Sequence, residues 1–265
     1  MFYLAYTLLG LFAGLLAGLL GVGGGLVIVP VLAWLFALQG FPDAVLMHLA
    51  VGTSLATIVA TSLSSIRAHH RRGGVVWPQV LQLGGGILAG AWLGAWIAHR
   101  LGSPALAALF GLFELVVAAQ MAFGRPPAPH RGLAGVPVNA AAGGVIGAVS
   151  AVLGIGGGTL TVPWLAWHNL PMRQAVGTAA ACGLPIALAG AAGFVASGWQ
   201  VAGLPAGSSG YVYWPAALAV SVPSVLAAPW GARLAHRLPQ PVLKRVFAGF
   251  VALLGVLMLS RPSWT

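Results

Sequence analysis

A glycine-rich break recurs at two matched places in this chain and constrains its fold more than any other feature. The first break, Gly-Val-Gly-Gly-Gly at 21–25, is followed five residues later by Pro30, and the second break, Gly-Ile-Gly-Gly-Gly at 154–158, by Pro163. Each lies between apolar stretches, so each must interrupt hydrophobic structure rather than form an ordinary surface loop. Adjacent glycines leave the backbone free at positive φ and bare of side chains. The fold must therefore accommodate two equivalent interruptions within apolar structure.

Each break predicts a site for a small anion. A helix that restarts after the glycines has N–H groups without internal partners, at the positive end of its macrodipole. Hydroxyl side chains in the helices that follow add further donors. The predicted substrate-binding residues are Gly23, Gly24, Gly25, Thr53, Ser54, Gly156, Gly157, Gly158, Thr159 and Thr178. The alternative is that the glycines serve only close helix packing, which is common in membranes.

The two breaks differ in the residues that follow them. Leu26 and Ile28 of the first half correspond to Thr159 and Thr161 of the second. Hydroxyl donors can therefore join the backbone donors on one side only. A nucleotide site is rejected, because neither break continues to Gly-Lys-Ser/Thr or completes Gly-x-Gly-x-x-Gly.

The composition is that of a membrane protein. The 265 residues are 59% hydrophobic and 5% charged, whereas a soluble domain has about 25% charged residues. The apolar runs reach the roughly 20 residues that cross a bilayer. We predict an all-α, polytopic protein, multi-pass in the cytoplasmic membrane, whose partners are the lipid bilayer and a small anion. The twelve Lys and Arg residues lie mostly between apolar runs, where they indicate topology rather than nucleic-acid binding. A single cysteine excludes an internal disulfide, and no cofactor is expected.

The chain is a tandem duplication of about five helical segments. Ala-Val-Gly-Thr at 50–53 recurs at 175–178, and the Trp-Pro pair at 77–78 recurs at 214–215. The predicted division is a first transmembrane repeat at residues 1–126, a linker at 127–132 and a second transmembrane repeat at 133–265.

The basic residues indicate that the two halves are inserted in opposite senses. In the first half they follow the third segment, at Arg67, Arg71 and Arg72. The matching loop of the second half has no charge, and the basic residues gather one loop later, at Arg233, Arg237, Lys244 and Arg245. Because loops rich in Lys and Arg stay cytoplasmic, both termini are predicted outside and the linker inside. Each half then has five full segments, or three with the first two forming a re-entrant hairpin.

Inverted repeats with broken helices are typical of secondary transporters whose site lies near the bilayer midplane. The paired breaks, with the Val-Gly-Thr triplets at 51–53 and 176–178, resemble the TauE/SafE family, also called the sulfite exporter family, over essentially the whole chain. The resemblance implies transport of sulfite, sulfonates or related small anions. A passive anion channel is the alternative, since it would use the same helix N-termini. An enzyme is not expected, because the chain has two acids and no recognisable catalytic or metal-ligand constellation.

Glu114 is the candidate for proton coupling. It lies near the middle of the apolar segment 104–123, where an ionised carboxylate is expensive. Either a protonated Glu114 couples transport to protons, or the residue makes a structural hydrogen bond to another helix. Val251 occupies the matching place in the second half, so the duplication does not require an acid there. His69 and His70 lie among cationic neighbours without an acid, so we expect a solvated loop and no metal site.

Overall fold

A computed structural model describes residues 1–20, 24–124, 132, 134–235 and 240–260 of the protein. Within those ranges the chain is almost entirely helical, and the predicted all-α fold is confirmed. The helices are α1 (Phe2–Leu20), α2 (Gly25–Leu38), α3 (Asp43–His70), α4 (Trp77–Arg100), α5 (Ser103–Phe123), α6 (Val136–Leu153), α7 (Gly158–Trp167), α8 (Met172–Gly198), α9 (Trp214–Ala235) and α10 (Gln240–Ser260). Two short antiparallel strands, β1 (Ser208–Ser209) and β2 (Val212–Tyr213), precede α9.

Six of the described helices are long and apolar enough to cross a membrane, namely α1, α3, α4, α5, α6 and α8. The helices that follow the breaks are shorter, with 14 residues in α2 and 10 in α7. At 1.5 Å per residue they extend about 21 and 15 Å, whereas the hydrocarbon layer is about 30 Å thick. The chain is therefore a multi-pass membrane protein in which each half contains one helix too short to span.

Each short helix folds back on the helix before it. In the first hairpin, α1–α2, Tyr6 packs edge-on against Phe36 with ring centroids 6.4 Å apart, and its hydroxyl accepts a hydrogen bond from Gln39. In the second hairpin, α6–α7, Nε1 of Trp164 donates to Oδ1 of Asn139 at 3.1 Å. In both, the helix ends far from the glycine break lie together. The described residues of the break, which are Gly24 and Gly25 in the first hairpin and 154–158 in the second, lie at the other end, the tip of the hairpin. Each hairpin thus joins one helix long enough to span the membrane to one that is too short. This arrangement is intermediate between the two predicted alternatives, five full segments in each half or three with a re-entrant hairpin.

The first helix of each half packs closely along the fourth helix of the other half. A methyl group at Gly10 on α1 would collide with the carbonyl oxygen of Val220 on α9. In the matching pair, a methyl group at Gly143 on α6 would collide with the carbonyl oxygen of Leu83 on α4. One turn further along, Gly14 meets Ser224 and Gly147 meets Ile87 in the same way. Because the residue numbers rise together on both helices, the two helices of each pair are parallel. Small residues permit this approach of backbones, and the repeated sequence is matched by repeated packing.

The third helices of the two halves, α3 and α8, pack side by side in opposite directions. Leu55 on α3 lies against Gly190 on α8, whereas Ser62, further along α3, lies against Gly183, further back on α8. Helix α3 is the most buried of the spanning helices and forms the centre of the molecule. Insertion of the halves in opposite senses stays a prediction. The linker predicted at 127–132 falls almost wholly outside the described residues, so the division into repeats also stays a prediction.

Candidate functional site

The tips of the two hairpins touch in the interior of the protein. A Cβ built on Gly25, the first residue of α2, would lie 2.7 Å from the carbonyl oxygen of Gly154 and 2.8 Å from Cα of Ile155. A side chain has no room at this contact, so glycine is required for α2 to begin against the second break. The two breaks, far apart in sequence, thereby form one place in the structure, which we call the central region.

The central region lies beside the middle of α3. Ser54 is fully buried on this helix, and its Oγ donates a hydrogen bond to the carbonyl oxygen of Gly154 at 2.8 Å. One turn later, Cγ2 of Ile58 lies 3.7 Å from the position of a Cβ on Gly156. Because α3 spans residues 43–70, these contacts fall near its midpoint. The structure therefore brings the predicted site residue Ser54 to the second break, far from either end of the helix.

The second break starts a helix without a side-chain cap. Gly154 adopts the left-handed conformation, with φ +67°, that glycine tolerates without strain. The N–H of Ile155 then returns to the carbonyl oxygen of Ser150 at 3.0 Å and closes the end of α6. Gly157 is the N-cap residue of α7 and supplies no side-chain hydrogen bond to that helix. The start of α7 thus brings N–H groups and the positive end of its dipole to the central region.

The predicted residues of the second break differ in the room around them. At Gly156 the nearest atom lies 3.7 Å from a built Cβ, so a methyl group would fit. At Gly157 the built Cβ would lie 2.7 Å from the carbonyl oxygen of Ala179 on α8, so that position is closed. Gly158 and Thr159, the first two residues of α7, are partly buried. Gly156 therefore has free space beside it, whereas the next residue, Gly157, is tightly packed at the start of α7.

The first break is bordered mainly by apolar side chains at Gly24. Gly23 lies outside the described residues, and its role stays a prediction. Gly24 is the N-cap residue of α2 and has no side-chain cap. Cδ1 of Ile28 lies 3.0 Å from the position of a Cβ on Gly24, and Cβ of Ala13 lies 3.4 Å from it. Hydrocarbon groups therefore occupy the space beside this helix start.

The comparison with known proteins covers almost the whole chain. A sequence model described as "Sulfite exporter TauE/SafE" matches residues 6–258, which contain both breaks. The chain belongs to this family. It is 36% identical to a probable membrane transporter protein of Haemophilus influenzae, over 98% of this chain and 99% of the relative. It is 27% identical to a probable membrane transporter protein of Methanocaldococcus jannaschii, over 95% of this chain and 93% of the relative. No solved structure matches it. The resemblance to the TauE/SafE family is confirmed, and the chain is a multi-pass integral membrane transporter.

In this TauE/SafE protein, the Val-Gly-Thr triplets hold the segments that lead into α4 and α9. Oγ1 of Thr53 accepts a hydrogen bond from the N–H of Tyr213 at 3.0 Å, and Oγ1 of Thr178 accepts one from the N–H of Val76 at 3.0 Å. Methyl groups on the glycines of the triplets would collide with backbone carbonyls of these segments. Sequence reasoning missed this role, although the Trp-Pro pair after each segment was a signal for it. A role of the two threonines as substrate donors stays a prediction.

Glu114 lies unpaired in the contact between α5 and α10. It is fully buried, and neither carboxylate oxygen has a hydrogen-bond partner in the part of the chain that the structure describes. Its Cβ lies 3.1 Å from the position of a Cβ on Gly255 of α10. The hydrogen bond to another helix, which the sequence left open, is therefore not found in the described ranges. An ionised carboxylate without a partner at this depth is expensive.

Histidines lie near both ends of α3, and His69 and His70, expected in a solvated loop, form part of its last turn. Nε2 of His48 lies 3.1 Å from the carbonyl oxygen of Ala98 and 2.9 Å from that of Leu101, at the end of α4. Nε1 of Trp77 donates to Nδ1 of His70 at 3.2 Å. No group of three His, Cys, Asp or Glu side chains that could hold a metal ion lies within the described ranges. These contacts join α3 to α4 at each end of α3.

Proposed function

We propose that this TauE/SafE protein is a secondary transporter that carries sulfite, sulfonates or related small sulfur oxyanions across the cytoplasmic membrane. The contact of Gly25 with Gly154 carries the proposal, because it brings both hairpin tips together beside the middle of α3. One hairpin comes from each half of the duplicated chain. Paired broken helices of this kind are how transporters build a midplane site that opens alternately to the two sides.

Neutral donors hold the anion in this proposal. An oxyanion that leaves water must replace its hydration shell with hydrogen-bond donors. The six arginine side chains that the structure describes are all exposed: Arg67, Arg71, Arg72, Arg100, Arg173 and Arg245. The donors are therefore backbone N–H groups at the starts of α2 and α7, joined by hydroxyl groups. A charge-assisted hydrogen bond contributes about 1.5–3 kcal/mol, which corresponds to roughly tenfold to a hundredfold in affinity.

Glu114 carries the coupling proton in this scheme. Its carboxyl group is neutral when protonated, and the α5–α10 contact supplies no described partner for the charged form. Helix α5 is also joined to α3, because Oγ of Ser103 donates to the carbonyl oxygen of Ala44 at 2.9 Å. A movement of α3 at the central region is thereby linked to the helix that bears Glu114. Protonation and substrate binding are expected to depend on each other.

Transport by the purified protein in liposomes tests this function. With radiolabelled sulfite on one side and an imposed pH gradient, we expect accumulation beyond the equilibrium distribution. Flux that only follows the sulfite gradient would identify the alternative, a passive anion channel. Absence of flux for sulfite and for methanesulfonate alike would overturn the proposal.

The opposite insertion of the two halves is tested separately. Reporter domains fused to each terminus and within residues 127–132 report the side of the membrane on which each lies. We expect both termini outside and the linker inside, because the basic loops stay cytoplasmic. If both termini lie on the same side of the membrane as the linker, the inverted arrangement is wrong, and so is the alternating access that depends on it.

A further inference from the structure

We propose that the protein has a single oxyanion site, at the second break, where the start of α7 is joined by the hydroxyls of Thr161 and Ser62, and that apolar side chains keep the start of α2 free of anions. This inference rests on the proposed function and narrows it. The ligand is one sulfite or sulfonate head group per chain, held by neutral donors. The two tips are then unequal, although they are matched in sequence.

Thr161 is the first observation. It is 0% exposed, and its Oγ1 has no hydrogen-bond partner in the described ranges. It lies one turn after Gly157, to whose carbonyl oxygen its own N–H donates at 2.9 Å. Residues four apart share a helix face, and helical side chains tilt toward the N-terminus. The hydroxyl therefore leans back toward the start of α7, where an anion would accept its hydrogen bond.

The first hairpin shows this geometry directly. Ile28 has the place in α2 that Thr161 has in α7, and its Cδ1 reaches to 3.0 Å from the position of a Cβ on Gly24. The side chain one turn into the helix thus covers the N-cap residue. The side chain at this place is a hydrocarbon in the first hairpin, whereas the matching residue of the second hairpin, Thr161, carries a hydroxyl.

Ser62 supplies the second hydroxyl, from the other half of the chain. Gly183 on α8 lacks a side chain, and the vacant Cβ position lies 3.1 Å from Oγ of Ser62 and 3.5 Å from the backbone nitrogen of Gly157. A hydroxyl group and a helix N-cap nitrogen therefore border the same small space. Because Gly183 has no Cβ, the hydroxyl of Ser62 on α3 can approach the backbone nitrogen of Gly157 on α7 past α8.

The hydroxyl side chains of this site correspond to apolar residues at the matching places around the first break. The matched pairs, second break first, are Thr161 with Ile28, Ser62 with Ala187, Gly183 with Ile58, and Ser150 with Ala17. Ser150, one turn before the second break, is a further buried hydroxyl without a partner in the described part of the chain. An anion at the second break would meet donors, and at the first it would meet methyl groups. The second break thus has hydroxyl groups where the first break has hydrocarbon side chains at the matching places.

Calorimetric titration of the detergent-purified, full-length protein with sulfite tests the inference. We expect one site per chain in the wild type. Thr161→Val keeps the side-chain shape and removes the donor, so affinity should fall about tenfold, the loss that about 1.4 kcal/mol produces. Ser62→Ala should weaken binding in the same direction. Thr161→Ser, which keeps a hydroxyl, should retain most of the affinity, and Ile28→Val is the matched control at the first break.

The outcomes separate this inference from the proposed function. The single site is supported if the wild type binds sulfite, Thr161→Val binds it more weakly and Ile28→Val binds it as the wild type does. Two sulfite sites per chain, or equal losses in Thr161→Val and Ile28→Val, would overturn it while leaving anion transport in place. Should Thr161→Val fail to fold, unchanged affinity in Ser62→Ala overturns it instead. A wild-type protein that binds neither sulfite nor methanesulfonate removes the proposed function as well.

Discussion

The two hairpin tips have nearly the same sequence and different surroundings. At the first tip, the N-cap residue Gly24 is covered by Ile28 and Ala13. At the second, Gly157 packs on the backbone of α8, and the buried hydroxyl of Thr161 lies one turn away. Both tips begin a helix without a side-chain cap. The difference shows that matched glycine motifs can start helices in different side-chain surroundings.

The same inequality extends to the fifth helices. Glu114 on α5 and Val251 on α10 occupy matching places and are both buried. One half therefore supplies a titratable group where the other supplies a methyl-bearing side chain. The two halves are matched in sequence, and the acid on α5 makes them unequal.

The largest expected effect comes from breaking the contact between the tips. Gly25→Val places a side chain against the carbonyl oxygen of Gly154 and Cα of Ile155, both under 3 Å from a Cβ. Overpacking of this kind costs about 1–3 kcal/mol, occasionally more, so we expect a lower unfolding temperature and loss of sulfite transport. Gly85→Val is the matched control, because no atom lies within 4 Å of a Cβ there. Equal thermal stability of the two variants in detergent would contradict the packed contact.

The second prediction concerns the acid that only one half carries. Glu114→Gln should abolish accumulation driven by a pH gradient while leaving sulfite binding largely intact, because the amide keeps the shape and cannot release a proton. Accumulation in liposomes and calorimetric binding measure the two effects separately. Glu114→Asp, which keeps an acid, should retain part of the coupling. Wild-type accumulation in Glu114→Gln would make the residue structural.

The third prediction compares the N-cap glycines. Gly157→Val should weaken sulfite binding by roughly tenfold to a hundredfold, the value of one charge-assisted hydrogen bond, whereas Gly24→Val, at the apolar start of α2, should weaken it less. The loss should be larger at Gly157, because a Cβ there meets the backbone of α8, whereas at Gly24 it meets first the flexible end of Ile28. Titration of both purified variants measures this order.

A gentler variant separates packing from binding at the second break. Gly156→Ala adds a methyl group where no atom lies closer than 3.7 Å, so the unfolding temperature should stay near the wild-type value. Affinity for sulfite should fall if the anion approaches this open position. Normal affinity in Gly24→Val, Gly157→Val and Gly156→Ala, with unchanged chromatography, would move the site elsewhere.

The smallest expected effects belong to the two matched threonines. Thr53→Val and Thr178→Val each remove an acceptor for a backbone N–H, at Tyr213 and Val76 respectively. A buried donor left without its partner costs about 1–3 kcal/mol, so both variants should unfold at lower temperature and by similar amounts. A mild loss of sulfite affinity is expected in Thr178→Val. A loss of affinity that exceeds that of Gly157→Val would instead place Thr178 directly on the anion.

Much of this molecule was predictable from the sequence because it depends on local properties. Hydrophobic runs and scarce charges predict membrane helices, and the repeated Gly-x-Gly-Gly-Gly motif predicts two helix starts bare of side chains. The family resemblance, the helical fold and the multi-pass membrane class followed from these features and are confirmed. The predicted donors at the breaks are only partly assembled by the structure. Ser54 reaches the second break, while Thr53 and Thr178 hold the segments before α9 and α4.

Only the tertiary structure decided which residues meet at the centre. In a membrane protein the lipid is as apolar as the core, so hydrophobicity does not separate the two faces of a helix. Leu83 is 0% exposed and Leu81, two residues earlier, is 77% exposed, yet they are the same residue type. The contact of Gly25 with Gly154, and the approach of Ser62 to Gly157 across Gly183, join residues from different halves of the chain. Local composition determined that this protein has two glycine motifs in a membrane, and long-range packing decided that Gly25 touches Gly154 and that the buried hydroxyl of Ser54 reaches the second break.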